Sequence, residues 1–424
     1  MFENHPCFNA EKRHTSARVH LPVAPSCNIQ CNFCNRKYDC VNENRPGVSS
    51  VILHPAQALN YLDSVLERTP NVAVAGIAGP GDPFTTPDKT LETLQLVHSK
   101  YPDLLLCLAS NGLNVADYVP QIAELKVSHV TFTVNAVKPE IGAQIYSWIR
   151  FHQCVLRGIE GAGILLKQQT EAIKKLKERN ITVKINTVVI PGINDNCVED
   201  IAKYCAGLGA DIQNCMPLLP VKDTPFESLT PLTQNEITSI RKNSEKYLSQ
   251  MNHCARCRAD AVGLIGIDNS SETEELLRNA AVIRTTAERP NVAVASMEGY
   301  LVNKHLGESE TLLVFGETNE GNLSSSKKIV FKEKRETPQK GLGDKRWELL
   351  AESFKDCAAV LVSGCGRNPQ QILERKGLRV ITMEGFISEA LPFIFNGKEL
   401  PKVFLRSAGC GRGMGCAGSG SGCG

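Results

Sequence analysis

Three cysteines crowd one short stretch, Cys27-Asn-Ile-Gln-Cys31-Asn-Phe-Cys34. Three thiolates on so short a loop can hold three irons of a cubane cluster and leave the fourth iron open to another ligand. A tetrahedral zinc site would need a fourth protein ligand, for which Cys40 or His20 could serve. Cys254-x-x-Cys257 is a second chelating pair, with a zinc or redox CxxC as its alternative reading. Cys7 stands alone near the start, and Cys410, Cys416 and Cys423 lie in a Gly/Ser-rich end. Seven others, Cys107, Cys154, Cys197, Cys205, Cys215, Cys357 and Cys365, are scattered singly, as small buried hydrophobes usually are. The total of 17 in 424 residues falls well below the density of a disulfide scaffold. Clustered cysteines in a large chain of this kind read as metal ligands or redox groups.

These groups need elements to position them. Strand-length apolar runs at Val19–Ala24, Val72–Ala78, Leu104–Ala109, Val127–Val134, Ile181–Ile190 and Ala210–Met216 alternate with helical patterns near 56–68, 87–100, 115–125, 138–157, 166–179 and 197–208. Alternation of this kind implies parallel pairing through right-handed crossovers, and the count fits a partial or full (β/α) barrel. Ligands then gather at the C-terminal ends of the strands. A further helix is expected over 232–250, and the segment Cys254–Asp260 closes the unit. The expected boundaries are a barrel over 1–267, a linker over 268–290, a smaller α/β domain over 291–400 and a flexible Gly/Ser/Cys tail over 401–424.

Lys plus Arg is 47 and Asp plus Glu is 45, a formal charge of +2, which offers no electrostatic case for nucleic acid or an anionic membrane. No run of 18 apolar residues exists, and the N-terminal sequence reads as neither signal nor transit peptide. A cytoplasmic protein is the expectation.

Turns at the strand ends add to the cysteine signal. Gly79-Pro80-Gly81-Asp82-Pro83 follows the second strand, Ser110-Asn111-Gly112 the third, Asn135 the fourth, and Val189-Ile190-Pro191-Gly192 the fifth. Together with a CxxxCxxC loop after the first strand, they resemble the radical S-adenosylmethionine (SAM) superfamily. In that superfamily a GGEP-like turn meets the SAM amino group, with Asp82 here in place of the usual Glu, and a TNG-like turn follows the third strand. The resemblance implies SAM contacts from Gly79, Gly81, Asp82, Ser110, Asn111, Asn135 and Ile190. His5-Pro6-Cys7, the run Cys34 to Cys40, Asn44–Gly47 and Cys254–Gly263 resemble the NifB family of nitrogenase cofactor maturases over essentially the whole chain. Val292–Glu308 resembles the NifX-like, ribonuclease H-like cofactor-binding domain.

What the resemblance implies is a radical SAM iron–sulfur enzyme with three [4Fe–4S] clusters. One sits on Cys27, Cys31 and Cys34 and cleaves SAM. The other two are substrates, fused around a carbide, with added sulfur, into the FeMo cofactor precursor NifB-co. By family match, Cys40, Cys107 and His20 hold one substrate cluster, and Cys7, Cys254 and Cys257 the other, with His5 competing with His20. Arg256 and Arg258 are candidates to balance cluster charge, and His305 is a candidate transient cluster contact, with a lone surface histidine as its alternative reading and Leu306 departing from the HFG of related domains. Implied partners are iron–sulfur assembly proteins, a carrier or scaffold receiving NifB-co, and an electron donor such as ferredoxin. Two rivals remain: a radical SAM enzyme acting on a peptide or small molecule, and a non-catalytic cluster carrier, for which the SAM-binding turns would be superfluous.

Overall fold

The computed structural model describes residues 5–40, 51–152, 154–254, 259–267, 270–319, 327–401 and 403–405. Asn44–Gly47, Arg256, Cys257, Arg258 and the tail cysteines Cys410, Cys416 and Cys423 lie outside the described residues. The chain divides into two compact units, Met1–Ala281 and Val282–Gly424.

The first unit runs β1 (Ala17–His20), β2 (Ile29–Cys31), α1 (Pro55–Arg68), β3 (Val72–Ile77), α2 (Pro87–Lys100), β4 (Leu105–Ser110), α3 (Val119–Glu124), β5 (Val127–Thr133), α4 (Pro139–Ile145), β6 (Tyr146–Phe151), β7 (Cys154–Leu156), α5 (Gly158–Glu178), β8 (Thr182–Val189), α6 (Val198–Gly207), β9 (Ile212–Pro217), α7 (Gln234–Ser244), β10 (Val262–Gly263) and α8 (Ser270–Ala281). Its main sheet has the order β10-β1-β3-β4-β5-β8-β9. The central strands are parallel, and β10 closes one edge antiparallel to β1. All six strands expected from the apolar runs are present in this α/β half-barrel.

The helices form where apolar spacing and capping agree. α1 begins with Pro55 at a position whose N–H needs no partner, and His54 and Gln57 satisfy each other's backbone in a capping box. Its buried Ala58, Tyr61, Leu62 and Val65 follow helical spacing and join the core under the sheet. α7 starts on a second box, Thr233 with Glu236. The segment expected as a linker contains α8, which belongs to the first unit and whose Ala281 carbonyl accepts from Gln57 Nε2 at 2.7 Å.

One expectation fails. Residues 138–157 are not a single helix: α4 stops at Ile145, and β6 and β7 form an antiparallel hairpin that joins β2 in a small sheet of order β2-β6-β7. The reason is local. Tyr146–Phe151, YSWIRF, is rich in aromatic and β-branched side chains, and pairing with β2 gives its backbone partners that a surface helix would not need.

The second unit runs β11 (Asn291–Val294), β12 (Thr311–Asn319), β13 (Lys327–Glu336), α9 (Asp344–Ser353), β14 (Cys357–Val362), α10 (Arg367–Arg375), β15 (Arg379–Thr382) and α11 (Ile387–Phe395), with sheet order β13-β12-β11-β14-β15. β11, β14 and β15 are parallel, while β12 and β13 are an antiparallel pair on one side. β11 and β14 are buried along their whole length, and the helices supply the apolar cover that such strands require.

Candidate functional site

Cys27, Cys31 and Cys34 all line one cavity at the C-terminal ends of the parallel strands, together with Gly81, Asp82 and Asn111. The loop that carries them is held from several sides. Cys31 lies in β2, opposite Tyr146 of the hairpin. The Arg36 guanidinium donates to the Cys27 carbonyl at 3.1 Å and the Ile29 carbonyl at 2.5 Å, and Gln30 Nε2 donates to the Cys34 carbonyl at 2.6 Å. From the second strand's turn, the Gly81 amide donates to Ala24 O at 2.7 Å and the Asp82 amide to Ser26 O at 2.8 Å. A Cβ on Gly81 would lie 2.2 Å from the Ser26 carbonyl oxygen, so only glycine permits this approach.

Asp82 is buried, and its carboxylate is fully engaged. It accepts from Phe84 N at 2.9 Å, Ser110 Oγ at 2.9 Å and Asn111 N at 2.6 Å. Burial raises its pKa against the pull of these donors. The carboxylate thus welds the second and third strand-end turns together. Asn111 carries the connection onward: its Oδ1 accepts from Leu113 N at 2.9 Å, which orients Nδ2 toward Asn28 Oδ1 at 2.7 Å and Cys27 Sγ at 3.6 Å. Gln169, buried on α5, braces the turn by donating to the Asn111 and Thr133 carbonyls. Asn135 and Ile190 sit behind these residues. Asn135 Oδ1 accepts from Val188 N, tying two strand ends together, and the Ile190 amide donates to Asn194 Oδ1 within the turn after β8, while Asn194 Nδ2 donates to the Asn135 carbonyl.

Cys27, Cys31 and Cys34 share the wall of one cavity, and a cubane takes each such thiolate on a separate iron. Burial, reinforced by nearby Asp82, pushes the Cys27 thiol up to about 12, and burial also raises Cys34. Binding of a cation such as iron would stabilise the thiolates and release their protons to solvent.

A second cavity adjoins the first, since Ala109 lines both. Cys7, His20, Cys107 and Cys254 all line it. Sheet register explains part of this. His20 pairs with Gly76, Gly76 with Cys107, and Cys107 with His129, a row of neighbours across β1, β3, β4 and β5 that share one face. Leu106 and Leu108 alternate with Cys107 along β4 and belong to the buried core. Gly76 leaves room for the imidazole, since a Cβ there would stand 3.3 Å from His20 Cδ2.

The chain segments bearing Cys7 and Cys254 are pinned over this face. The His5 ring lies 4.4 Å from that of His129, and Phe8 is equally close to His129. The Cys7 amide donates to His5 Nδ1 at 3.2 Å, and His253 Nε2 lies 3.1 Å from the Pro6 carbonyl oxygen. Among the described residues, His5 Nε2 is buried without a hydrogen-bond partner, and His5 lines this cavity. Cys40, expected beside Cys107 and His20, instead lines the first cavity, so the cavities do not draw the division of ligands expected from sequence. Cys257 lies outside the described residues.

Sequence reasoning passed over Lys184 and Arg18, which line the second cavity. Both are largely buried. The signal was available in Lys184, the lone cation in the buried strand Thr182–Val189. In the second unit, His305 caps a short 3-10 turn, its Nδ1 accepting from Gly307 N at 3.1 Å, and it bridges to Gly364 beside Cys365. Leu306, its neighbour, is fully buried, so that position fills the core.

Residues 21–205 match the Radical SAM superfamily, and residues 289–397 match the Dinitrogenase iron-molybdenum cofactor family. Over 423 residues, covering 99% of both chains, the sequence is 47% identical to the FeMo cofactor biosynthesis protein NifB of Chlorobaculum tepidum. The chain belongs to the NifB family. It is also 36% identical to NifB of Klebsiella pneumoniae, over 92% of this chain and 89% of that one. With NifB of Azotobacter vinelandii the identity is 35%, over 89% and 84%. Among solved structures, Streptococcus suis SuiB bound to S-adenosylmethionine aligns at a TM-score of 0.41 and 14% identity, over 59% of this chain and 54% of that one. This NifB-family chain is accordingly a radical SAM enzyme that uses SAM and a [4Fe–4S] cluster, with a separate NifX-like domain after the half-barrel. Among the described residues, no helix is long and apolar enough to cross a membrane.

Proposed function

We propose that this chain serves FeMo cofactor biosynthesis by converting two [4Fe–4S] substrate clusters into NifB-co, with carbide derived from SAM and a sulfur atom added from outside. The observation that carries the reading is the adjacency of the two cavities. One is lined by Cys27, Cys31 and Cys34, the other by Cys7, His20, Cys107 and Cys254, and Ala109 belongs to both walls. A group generated from SAM in the first cavity needs to travel only to the next.

Cys27, Cys31 and Cys34 hold the SAM-cleaving cluster and leave one iron for SAM. That cluster, when bound, supplies the electron that splits SAM into methionine and a 5′-deoxyadenosyl radical. The Gly79–Asp82 and Ser110–Asn111 turns shape the wall against which SAM lies. Asp82, with its oxygens already engaged, acts by holding those turns. Asn135 and Ile190 hold the strand ends behind them.

The remaining ligands serve the substrate clusters: Cys7, His20, Cys107 and Cys254 on the second cavity, Cys40 on the adjoining first one, and Cys257 from the CxxC pair. Imidazole is a weaker ligand than thiolate, which suits His20 to a cluster that must be released. Lys184 and Arg18 offset the negative charge of the iron–sulfur substrate. One SAM gives its methyl to a substrate-cluster sulfide and leaves as S-adenosylhomocysteine. The radical from a second SAM takes a hydrogen from that methyl and leaves as 5′-deoxyadenosine. The NifX-like unit, with His305, handles the product. Iron–sulfur assembly proteins deliver the clusters, a ferredoxin-like donor the electron, and a carrier or scaffold takes NifB-co away, all in the cytoplasm.

The test is product analysis of anaerobically reconstituted protein given SAM and dithionite. Both S-adenosylhomocysteine and 5′-deoxyadenosine are expected. Deoxyadenosine alone would point to a radical SAM enzyme of another specificity, and neither product from fully iron-loaded protein would leave only a cluster carrier.

A further inference from the structure

The β2-β6-β7 sheet has one face inside and one outside. Ile29, Cys31, Tyr146 and Ile149 are buried in the core beneath the cysteine loop. On the outer face, cross-strand pairing sets Gln30 beside Trp148 and Arg150 beside Val155. Trp148 lies between two guanidiniums, Arg36 at 4.8 Å and Arg150 at 5.6 Å from its ring. Arg36 and Arg150 are exposed, Arg36 also reaching the wall of the first cavity; Arg157, exposed as well, donates to the Ser147 carbonyl of β6, and Val155 is 48% exposed. The three strands contain no Asp or Glu; the acids nearest the hairpin in sequence are Glu140 and Glu160. Arginine and an aromatic around an exposed apolar residue is the composition of a docking surface more than of a merely solvated sheet.

We propose that this outer face is the docking site for a one-electron carrier protein with an acidic surface. Two observations fix the kind of partner. The charged side chains at this face, Arg36, Arg150 and Arg157, are all cationic, so it steers and orients an anionic partner. It also lies one sheet thickness from the loop that holds the SAM-cleaving cluster, since Arg36 and Gln30 hydrogen-bond directly to the Cys27, Ile29 and Cys34 carbonyls. A carrier seated on Trp148 therefore stands close to the cluster without entering the substrate cavities. One electron passes to the oxidised cluster, and the carrier leaves oxidised by one electron. The inference rests on the radical SAM reading above, and its test separates the two.

The probe is a reduced plant-type [2Fe–2S] ferredoxin, compared with dithionite as the electron source. In Arg150→Glu/Arg157→Glu protein, the ferredoxin-driven rate of 5′-deoxyadenosine formation is expected to fall at least tenfold at low salt, and its salt sensitivity to flatten. The dithionite-driven rate is expected to stay within twofold. Lys174→Glu, on the solvent side of α5, is the control expected to leave both unchanged. Calorimetric titration of oxidised ferredoxin onto the protein reads the surface without turnover. Equal affinity for unaltered and charge-reversed protein overturns the docking site. Loss of dithionite-driven turnover in the unaltered protein would instead strike at the radical SAM assignment.

Discussion

Replacing Cys254 by alanine is expected to remove S-adenosylhomocysteine formation while 5′-deoxyadenosine formation persists, and replacing Cys31 is expected to remove deoxyadenosine. The split follows from where the two thiols stand. Cys31 lies in β2 and lines the first cavity, so on the proposed function its loss takes away a ligand of the cluster that reduces SAM. Cys254 lines the second cavity and not the first, so on the proposed function its loss removes a substrate-cluster ligand. Without that cluster there is no sulfide to receive a methyl group, yet SAM can still be cleaved unproductively. Iron analysis of the same samples checks the cause, since each variant should be short by the iron of one cluster. Cys7→Ala is the companion variant, because its thiol reaches the same cavity on a different segment. S-adenosylhomocysteine at unaltered levels in both Cys254→Ala and Cys7→Ala would contradict the assignment of the second cavity.

Replacing Asn111 by leucine is expected to make the SAM-cleaving cluster harder to reduce and to slow SAM cleavage by about 10–100-fold, the usual effect of losing an outer-shell partner. Asn111 Nδ2 points at Cys27 Sγ from 3.6 Å, and its orientation is set because Oδ1 is already taken by Leu113 N. An N–H aimed at a cluster thiolate withdraws charge from sulfur and favours the more negative, reduced state. Leucine keeps the branched heavy-atom skeleton and removes the donor. A redox titration followed by electron paramagnetic resonance should give a lower potential in Asn111→Leu than in the unaltered protein. An unchanged potential with intact iron would show that Asn111 only shapes the turn.

Much of this architecture was legible in the residues. Six parallel strands and the CxxxCxxC loop showed in period, composition and spacing, because buried parallel strands are written as continuous apolar runs. The hairpin at Tyr146–Phe151 was not, since a short amphipathic run reads equally as helix or strand until a partner such as β2 is known. Cys107 looked like a core residue within LLLCLAS, and only sheet register distinguishes its face from that of Leu106 and Leu108. Lys184 was readable but passed over, hidden in a run otherwise typical of a buried strand. The grouping of Cys7 with Cys254 depends on the His253–Pro6 contact, 247 positions apart in sequence, which no local pattern announces.

The most direct test of the central claim, that a carbon from SAM passes from the first cavity into iron–sulfur substrate in the second, is to follow the methyl carbon. The reconstituted protein is turned over with SAM carrying a 14C methyl group, and its iron–sulfur product is separated anaerobically from small molecules. Label is expected to travel with the iron, and to be absent from the iron fraction in Cys254→Ala protein. Label confined to methionine and unreacted SAM, with none accompanying iron from fully loaded protein, would contradict the account.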